Sequence, residues 1–189
     1  PYKPGYPDWI ESWKQTTDPT GWMKNSVVWY SQQITIRLGE KRFADYVHAF
    51  GYGNEDLSGD PAKHDGLTRS WLGSSLQISP REQLAFLEKF VTRRLPVSPH
   101  AFDMTDSITE LATLDNGWTV HGKTGAGRPK NADGTPGRTQ GWFVGWATKA
   151  GRTLVFVRQV EDEQPQSVSP GLRTRDAMMK ELPALLDRL

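Results

Sequence analysis

The sequence contains no cysteine among its 189 residues. Disulfide bonds, thiolate catalysis and cysteine-ligated metal sites are therefore excluded. The chain also lacks an apolar run near the roughly 20 residues that a membrane-spanning helix needs, so we expect no membrane span. Its 23 basic and 22 acidic residues nearly cancel, to a net charge of +1. That balance provides no overall field to attract nucleic acid, which is therefore not an expected partner.

Histidine is sparse, and its spacing is not that of a metal site. No H-E-x-x-H pattern occurs, and we expect no metal ion. Aromatic side chains are plentiful by contrast, with 8 Trp, 7 Phe and 5 Tyr. They can bury enough apolar surface for a folded domain of this length. The four histidines are His48, His64, His100 and His121.

Helical patterns fill most of the first part of the chain. Residues 1–25, rich in Pro, Trp and Lys, are predicted to be mostly irregular. Apolar residues at helical spacing predict a helix over Glu40–Phe50. A second helix begins at Ser79, because a proline follows in the first turn and Glu82 completes a capping box. A third helix is predicted over Ala101–Leu114.

Extended patterns follow the turn residues at 115–117. Trp118–His121 reads as a short strand, and residues 125–140 as a loop rich in Gly, Pro and Arg. Gly141–Thr148 and Thr153–Val160 are nearly continuously apolar and rich in β-forming residues. Since only a few residues separate them, the two stretches predict a β-hairpin.

The C-terminal stretch is amphipathic and predicts a helix, which Pro183 is expected to kink or shorten. Helices, then three strands, then a helix indicate an α+β fold. We expect a helical subdomain with an N-terminal loop arm over residues 1–115 and a sheet subdomain over 116–189, together forming one partial domain. Three strands make a thin sheet, so strands from a further N-terminal segment are expected to complete it. The apolar positions of the helix are Met178, Leu182, Leu185 and Leu189.

The triplet Lys123-Thr124-Gly125 lies at the end of the first predicted strand. Glycine at positions 122 and 125 allows a ligand to approach the backbone closely. The Lys123 ammonium, the Thr124 hydroxyl and the Ala126 amide together suit a carboxylate or a developing oxyanion. On its own the triplet fits a glycine-rich turn with a solvated lysine equally well.

Three further motifs each have a structural and a functional interpretation. Ser26, in Ser26-x-Val28, most often would be a helix N-cap, whereas in a cleft its hydroxyl would relay a proton. The Tyr52-Gly53-Asn54 triplet reads as a loop between helices. Trp71 most often would be a core residue, but a buried indole N–H beside a polar group needs an acceptor.

Together these motifs resemble those of the class D (oxacillinase-type) serine β-lactamases. Their order and spacing match that family across almost the whole chain. Penicillin-binding transpeptidases and the β-lactam sensor domains of receptors share the fold, so the resemblance specifies the superfamily more closely than the reaction. It rests on Ser26-x-Val28, Tyr52-Gly53-Asn54, Trp71 ahead of Ile78-Ser79-x-x-Glu82-Gln83, Lys123-Thr124-Gly125 and Gly141-Trp142-Phe143-Val144-Gly145-Trp146.

The resemblance implies a helical subdomain packed on an antiparallel sheet with a C-terminal helix. In the family, the serine of an S-x-x-K motif attacks the β-lactam, and the lysine of that motif, carboxylated by carbon dioxide, acts as general base. Neither S-x-x-K nor T-x-x-K occurs in this sequence. We therefore expect the C-terminal part of a periplasmic or secreted enzyme, incomplete on its N-terminal side and inactive alone. Its expected partners are a β-lactam and the N-terminal fragment.

The resemblance also implies roles for individual residues. Ser26 would pass a proton to the lactam nitrogen, and Lys123 would bias Ser26 electrostatically. Trp71 would donate its indole hydrogen to the carboxylated lysine. Thr124 would bind the substrate carboxylate with an arginine of the C-terminal helix, Arg175 before Arg173. The remaining expected residues are Gly125 and the Ala126 amide at the substrate, and Val28 and Leu72 lining an apolar pocket.

Three other functions stay open at this point. A receptor sensor domain would become acylated and stay acylated. A transpeptidase would act on peptidoglycan stem peptides, although Trp71 argues against it because transpeptidases use no carboxylated lysine. A ligand-binding remnant would have lost the nucleophile altogether.

Overall fold

The computed structural model describes residues 1–129, 131 and 133–188. In these described residues five helices come first, and a short 3-10 helix at Glu11–Trp13 precedes them. Four strands and a sixth helix follow within the same residues. The helices are α1 (Pro19–Asn25), α2 (Val28–Phe50), α3 (Gly66–Arg69), α4 (Pro80–Val91), α5 (Pro99–Thr109) and α6 (Pro170–Leu186); the strands are β1 (Glu110–Thr113), β2 (Thr119–Gly127), β3 (Thr139–Lys149) and β4 (Arg152–Asp162).

The four strands form one antiparallel sheet in chain order β1-β2-β3-β4. Between β3 and β4, Ala150 and Gly151 both have positive φ, at 48° and 79°. This is the pattern of a two-residue type I′ turn, whose twist matches that of the strands it joins. The predicted hairpin is therefore confirmed.

Helices cover both faces of the sheet. On one face α6 packs against β2, β3 and β4, and on the other α4 packs against β3 and β4. Phe90 of α4 lies against Trp146 of β3, with ring centroids 4.9 Å apart. The α+β fold class is thus confirmed. Under α6, the buried core consists of Trp118, Val120, Phe143, Ala147, Phe156, Met178, Leu182 and Leu186.

The predicted start of α4 is also confirmed. The Ser79 hydroxyl accepts the Glu82 amide at 3.3 Å, and the Glu82 carboxylate accepts the Ser79 amide at 2.7 Å. The helix predicted over Glu40–Phe50 is the second part of α2, which Gly39 interrupts with φ 74° and ψ 164°.

The helix predicted over Ala101–Leu114 is too long. The helix α5 ends at Thr109, and Glu110–Thr113 instead forms β1, paired with β2. Leu111 is exposed, so its helical spacing from the residues before it does not reflect a buried face. The predicted set of three strands therefore lacks β1, and the sheet includes residues before position 116.

Both ends of the chain are more regular than predicted. Residues 1–25 are mostly irregular as predicted, but they also contain α1, which was not predicted. The helix α6 runs to Leu186, three residues past Pro183, so the proline does not end it. The predicted apolar position Leu189 lies outside the described residues. Among those described, no helix combines the length and apolarity needed to cross a membrane.

Candidate functional site

Ser26 lies in the sharp turn between α1 and α2. Its backbone is left-handed, with φ 52° and ψ 46°, and its amide donates to the Trp22 carbonyl. Residue Val27 occupies the N-cap position of α2 and provides no side-chain cap. The interpretation of Ser26 as an N-cap is therefore wrong, because α2 begins one residue too late for it. Its side chain is exposed and free for another role.

An aromatic cluster, called here the arm cluster, holds this turn in place. The Trp13 indole N–H donates to the Asn25 carbonyl at 2.8 Å, immediately before Ser26. The Trp29 indole N–H in turn donates to the Trp13 carbonyl at 2.9 Å. The sequence interpretation missed this support, although four tryptophans within residues 9–29 were a signal for it. The cluster comprises Trp13, Val27 and Trp29, with Tyr2, Tyr6, Trp22, Val28 and Tyr30 packed around them.

Lys123 of β2 reaches across to this turn. Its ammonium donates to the Ser26 hydroxyl oxygen, and also to the Thr124 carbonyl at 2.8 Å. Burial lowers the pKa of Lys123 to about 8, because the ammonium loses hydration and no carboxylate of the described residues pairs with it. The structure thus brings Ser26 and Lys123 together, with an amine that is partly neutral at mildly alkaline pH.

The residues after Lys123 alternate between the two faces of the sheet. Thr124 stands opposite Phe143, which belongs to the core beneath α6, so Thr124 lies on the α6 face and Lys123 on the other. A Cβ built on Gly171, near the start of α6, would lie 2.4 Å from the Gly125 carbonyl oxygen. Strand β2 therefore runs directly against the first turn of α6. Ala126 follows, exposed and paired with Gly141.

The two candidate arginines of α6 have different partners. Arg173 donates from one nitrogen to both oxygens of Asp162, at 2.6 and 2.7 Å, and that carboxylate is nearly buried. Within the described residues, Arg175 donates only to the adjacent, exposed Asp176 at 2.8 Å. In the described part of the chain neither arginine donates a hydrogen bond to Thr124, and Arg175 is the one that can turn away from its partner at lower cost.

Trp71 and Leu72 lie in the segment after α3, and both are half-buried. The Trp71 ring meets Phe43 of α2 edge-on, with centroids 5.9 Å apart. Among the described residues, its indole N–H finds no acceptor, and no hydrogen bond or ring contact joins it to Ser26 or Lys123. Trp71 is therefore not hydrogen-bonded to the Ser26–Lys123 pair in the described structure.

The Tyr52-Gly53-Asn54 loop clasps the segment that follows Trp71. The Asn54 side chain donates to the Ser75 carbonyl and accepts the Gln77 amide, both at 2.9 Å. Its backbone amide donates to the Gln77 carbonyl at 2.9 Å. Because these bonds fix residues 75–77, the motif supports the neighbouring Trp71 and Leu72.

Replacing Gly53 with alanine is expected to break this clasp. A Cβ there would lie 1.9 Å from the Gln77 carbonyl oxygen, a contact that backbone must move to relieve. Gly51→Ala is the matched control, since Gly51 has the same φ of 58° but faces only the end of the Lys89 side chain. We expect Gly53→Ala to lower the unfolding free energy by about 1–3 kcal/mol more than Gly51→Ala. Equal urea-unfolding midpoints for the two variants would contradict the clasp.

His121, two residues before Lys123 on the same face of β2, is a buried residue whose role was not predicted. Its ring stacks on Trp146 with centroids 5.1 Å apart and planes at 5°. Its Nδ1 lies 2.9 Å from the Asp106 carbonyl oxygen, so it ties β2 to α5. Because side chains alternate between the two faces of a strand, the sequence could have indicated that His121 and Lys123 lie on the same face. Across the described residues, no group of three or more His, Asp and Glu is arranged to hold a metal ion.

Comparison with known proteins gives a consistent result. Residues 1–183 match the family described as the penicillin binding protein transpeptidase domain. The structure of the OXA-427 class D β-lactamase superposes with a TM-score of 0.95 at 49% identity, covering 100% of this chain and 78% of that one. The chain belongs to the class D β-lactamase family. The resemblance of its motifs to those of class D β-lactamases is thereby confirmed.

The chain is shorter than the class D β-lactamases that it matches. It is 49% identical over 170 residues to β-lactamase OXA-9 of Klebsiella pneumoniae, covering 89% of this chain and 62% of that protein. It is 39% identical over 172 residues to β-lactamase OXA-1 of Escherichia coli, covering 89% of this chain and 60% of that protein. The chain thus spans about three fifths of the length of these relatives.

Proposed function

We propose that the chain is part of a class D β-lactamase that hydrolyses β-lactams through an acyl-enzyme. The observation that carries the proposal is the contact of the Lys123 ammonium with the Ser26 hydroxyl, within a chain of this family. A proton-relay serine needs a neighbour that sets its hydrogen bonding, and a lysine of lowered pKa is such a neighbour. The chain supplies the relay and the substrate-binding strand of the site.

The nucleophilic serine and the general-base lysine are proposed to lie on a segment outside this sequence. Carboxylation of that lysine by carbon dioxide would supply the base, and no residue of this chain holds that group. The unpaired indole N–H of Trp71 supports this division, because a donor without an acceptor in the described chain suits one on another segment. Leu72 and Val28 would line an apolar pocket around the general-base lysine and limit the access of water to it.

In the reaction, Ser26 is proposed to pass its proton to the lactam nitrogen as the ring C–N bond breaks. Lys123 donates to Ser26 Oγ, which leaves the hydroxyl hydrogen free to point at the leaving nitrogen. The left-handed backbone of Ser26, held by the arm cluster, keeps the hydroxyl in this position. The Ala126 amide is proposed as one donor to the oxyanion.

The β-lactam carboxylate is proposed to bind at Thr124 and Gly125, with Arg175 as its cation. Arg175 is preferred to Arg173, since the latter is engaged with the nearly buried Asp162. A charged arginine suits a carboxylate because the two can pair through parallel hydrogen bonds. We further propose that the whole protein acts in the periplasm or outside the cell.

A chimaera tests the proposal. The part of OXA-9 outside the matched region is joined to this chain, and hydrolysis of a chromogenic cephalosporin is measured with added bicarbonate. We expect turnover by the chimaera and none by the 189-residue chain alone. In the chimaera, Ser26→Ala and Lys123→Ala should each lower kcat by about 100-fold, as for loss of a proton-transfer group.

Two results would contradict the proposal. One is burst and turnover from a sample whose intact mass equals that of this chain, since the nucleophile would then lie within it. The other is a folded chimaera that becomes acylated but releases no product, which would favour a sensor function. Lys41→Met, at an exposed site, is the control for general effects of removing a lysine.

A further inference from the structure

The Ser26–Lys123 pair has the parts of a nucleophile and its base, apart from any S-x-x-K motif. Ser26 is an exposed residue that an electrophile can approach, whereas Lys123, which donates to its hydroxyl, is partly buried. The hydroxyl sits on a left-handed backbone that a non-glycine residue adopts only under restraint. Exposed nucleophilic serines on strained turns are a known catalytic arrangement, as in the nucleophile elbow.

The restraint on Ser26 is specific. The Trp22 carbonyl accepts the amides of both Ser26 and Val27, and the Trp13 indole binds the Asn25 carbonyl just before them. The peptide units on both sides of Ser26 are therefore fixed by hydrogen bonds. The hydroxyl is consequently held toward Lys123 at little further entropic cost.

We propose that Ser26 and Lys123 form a serine–lysine dyad that accepts acyl groups from activated esters onto Ser26 Oγ. This reaction differs from the proposed β-lactam hydrolysis, in which Ser26 only relays a proton, and it requires no residue outside this chain. Serine–lysine pairs serve as nucleophile and base on several unrelated folds.

The step balances within the dyad and the ester. The neutral Lys123 amine takes the Ser26 hydroxyl proton, and Oγ bonds to the ester carbonyl carbon. The bond from that carbon to the aryl oxygen then breaks, and the phenolate leaves with the electron pair. Lys123 releases its proton to water, so one ester and one hydroxyl give one serine ester, one phenolate and one proton.

The groups around Lys123 suit this use of its amine. Among the described residues no carboxylate pairs with Lys123; it contacts the Ser26 hydroxyl and the Thr124 carbonyl. His121 lies two residues before Lys123 on the same face of β2. Its Nδ1 lies 2.9 Å from the Asp106 carbonyl oxygen, and its ring stacks on Trp146. With its pKa lowered to about 8, a substantial fraction of the amine is neutral at pH 8.

The test uses the chain with p-nitrophenyl acetate at pH 6–10. We expect release of one equivalent of p-nitrophenolate, with a rate that rises with pH and levels off above about 8. Intact mass should show one acetyl group, mapped by fragmentation of the tryptic peptide 25–37 to Ser26 rather than Ser31. Ser31 is an internal comparison, because its hydroxyl is engaged by the Trp22 indole at 2.9 Å.

Variants distinguish acylation by the dyad from acetylation of exposed side chains that does not depend on Lys123. Lys123→Met, and Lys123→Arg, whose guanidinium cannot lose its proton, should lower the acylation rate about 100-fold, while Lys41→Met should not change it. Circular dichroism establishes that each variant is folded. The dyad is refuted if Ser26→Ala is acetylated on Lys123 at the wild-type rate, or if Lys123→Arg reacts at Ser26 as fast as wild type.

Discussion

Replacing Trp29 with alanine is expected to lower the unfolding free energy by about 3–5 kcal/mol, the usual cost of deleting a large buried aromatic side chain. Trp29 is 2% exposed, stacks on Tyr6 at 5.1 Å between ring centroids, and donates its indole N–H to the Trp13 carbonyl. The substitution therefore removes the centre of the arm cluster and a hydrogen bond that positions Trp13.

The effect should reach Ser26, because Trp13 holds the carbonyl that precedes it. Urea unfolding gives the stability, and limited trypsin digestion should show faster cleavage after Lys14 and Lys24. Trp9→Ala is the matched control: Trp9 is 63% exposed, although its ring also contacts Trp13 at 4.9 Å. Equal losses of stability for the two variants would show that the arm cluster does not anchor this part of the chain.

The elements that the sequence predicted well are those whose signals are local. Ser79, a proline in the first turn and Glu82 lie within four residues, and their capping box is present in the structure. The β3–β4 hairpin likewise depends on two adjacent apolar stretches and the turn between them. Short-range hydrogen bonding decides both elements, so no knowledge of the rest of the chain was needed.

Strand β1 was not predicted, because its local sequence pattern is helical. Its residues continue the helical spacing of α5, and nothing local marks the change at Glu110. They become a strand because β2 offers a pairing edge, and that edge exists only once the sheet has formed. Leu111 is exposed in the structure, so the apolar spacing at this position did not indicate a residue of the core.

The candidate site also combines features that the local sequence predicts with features that depend on distant parts of the chain. The motif Lys123-Thr124-Gly125 was identifiable, but its contact with Ser26, 97 residues earlier, was expected only through the family resemblance. The left-handed turn at Ser26 was not predicted, because the arm cluster that imposes it is a tertiary feature. The choice between Arg173 and Arg175 likewise depends on Asp162, a partner from another element.

The stability of the chain is expected to rise with pH between about 8 and 10.5, through Lys123. Burial lowers the pKa of Lys123 to about 8 in the folded chain, against its usual 10.5. Between these values the unfolded chain binds the proton and the folded chain releases it, so raising the pH favours the fold. Below pH 8 both states are protonated, and the full cost of burying the ammonium is present.

Lys123→Met should therefore gain stability relative to wild type at pH 7 and lose that advantage at high pH. The difference between the two urea-unfolding free energies is expected to change by up to about 3 kcal/mol from pH 7 to 10.5, at 1.36 kcal/mol per pKa unit. Other titratable groups, including Tyr52, whose pKa is raised by burial, are common to both chains, so their contributions cancel in the difference. Lys41→Met, at an exposed lysine, is the control for general effects of removing a lysine side chain.

A flat difference for Lys123→Met would mean that the amine is hydrated in the folded chain, and the basis for its lowered pKa would be lost. If the difference in unfolding free energy instead changes with pH as expected, Lys123 destabilises the folded chain at neutral pH. Lys123 is partly buried and has no carboxylate partner in the part of the chain that the structure describes. Packing alone does not explain why this destabilising cation is present, whereas a catalytic use of its amine does. The same variant should therefore stabilise the chain at neutral pH and slow acyl transfer to Ser26 about 100-fold.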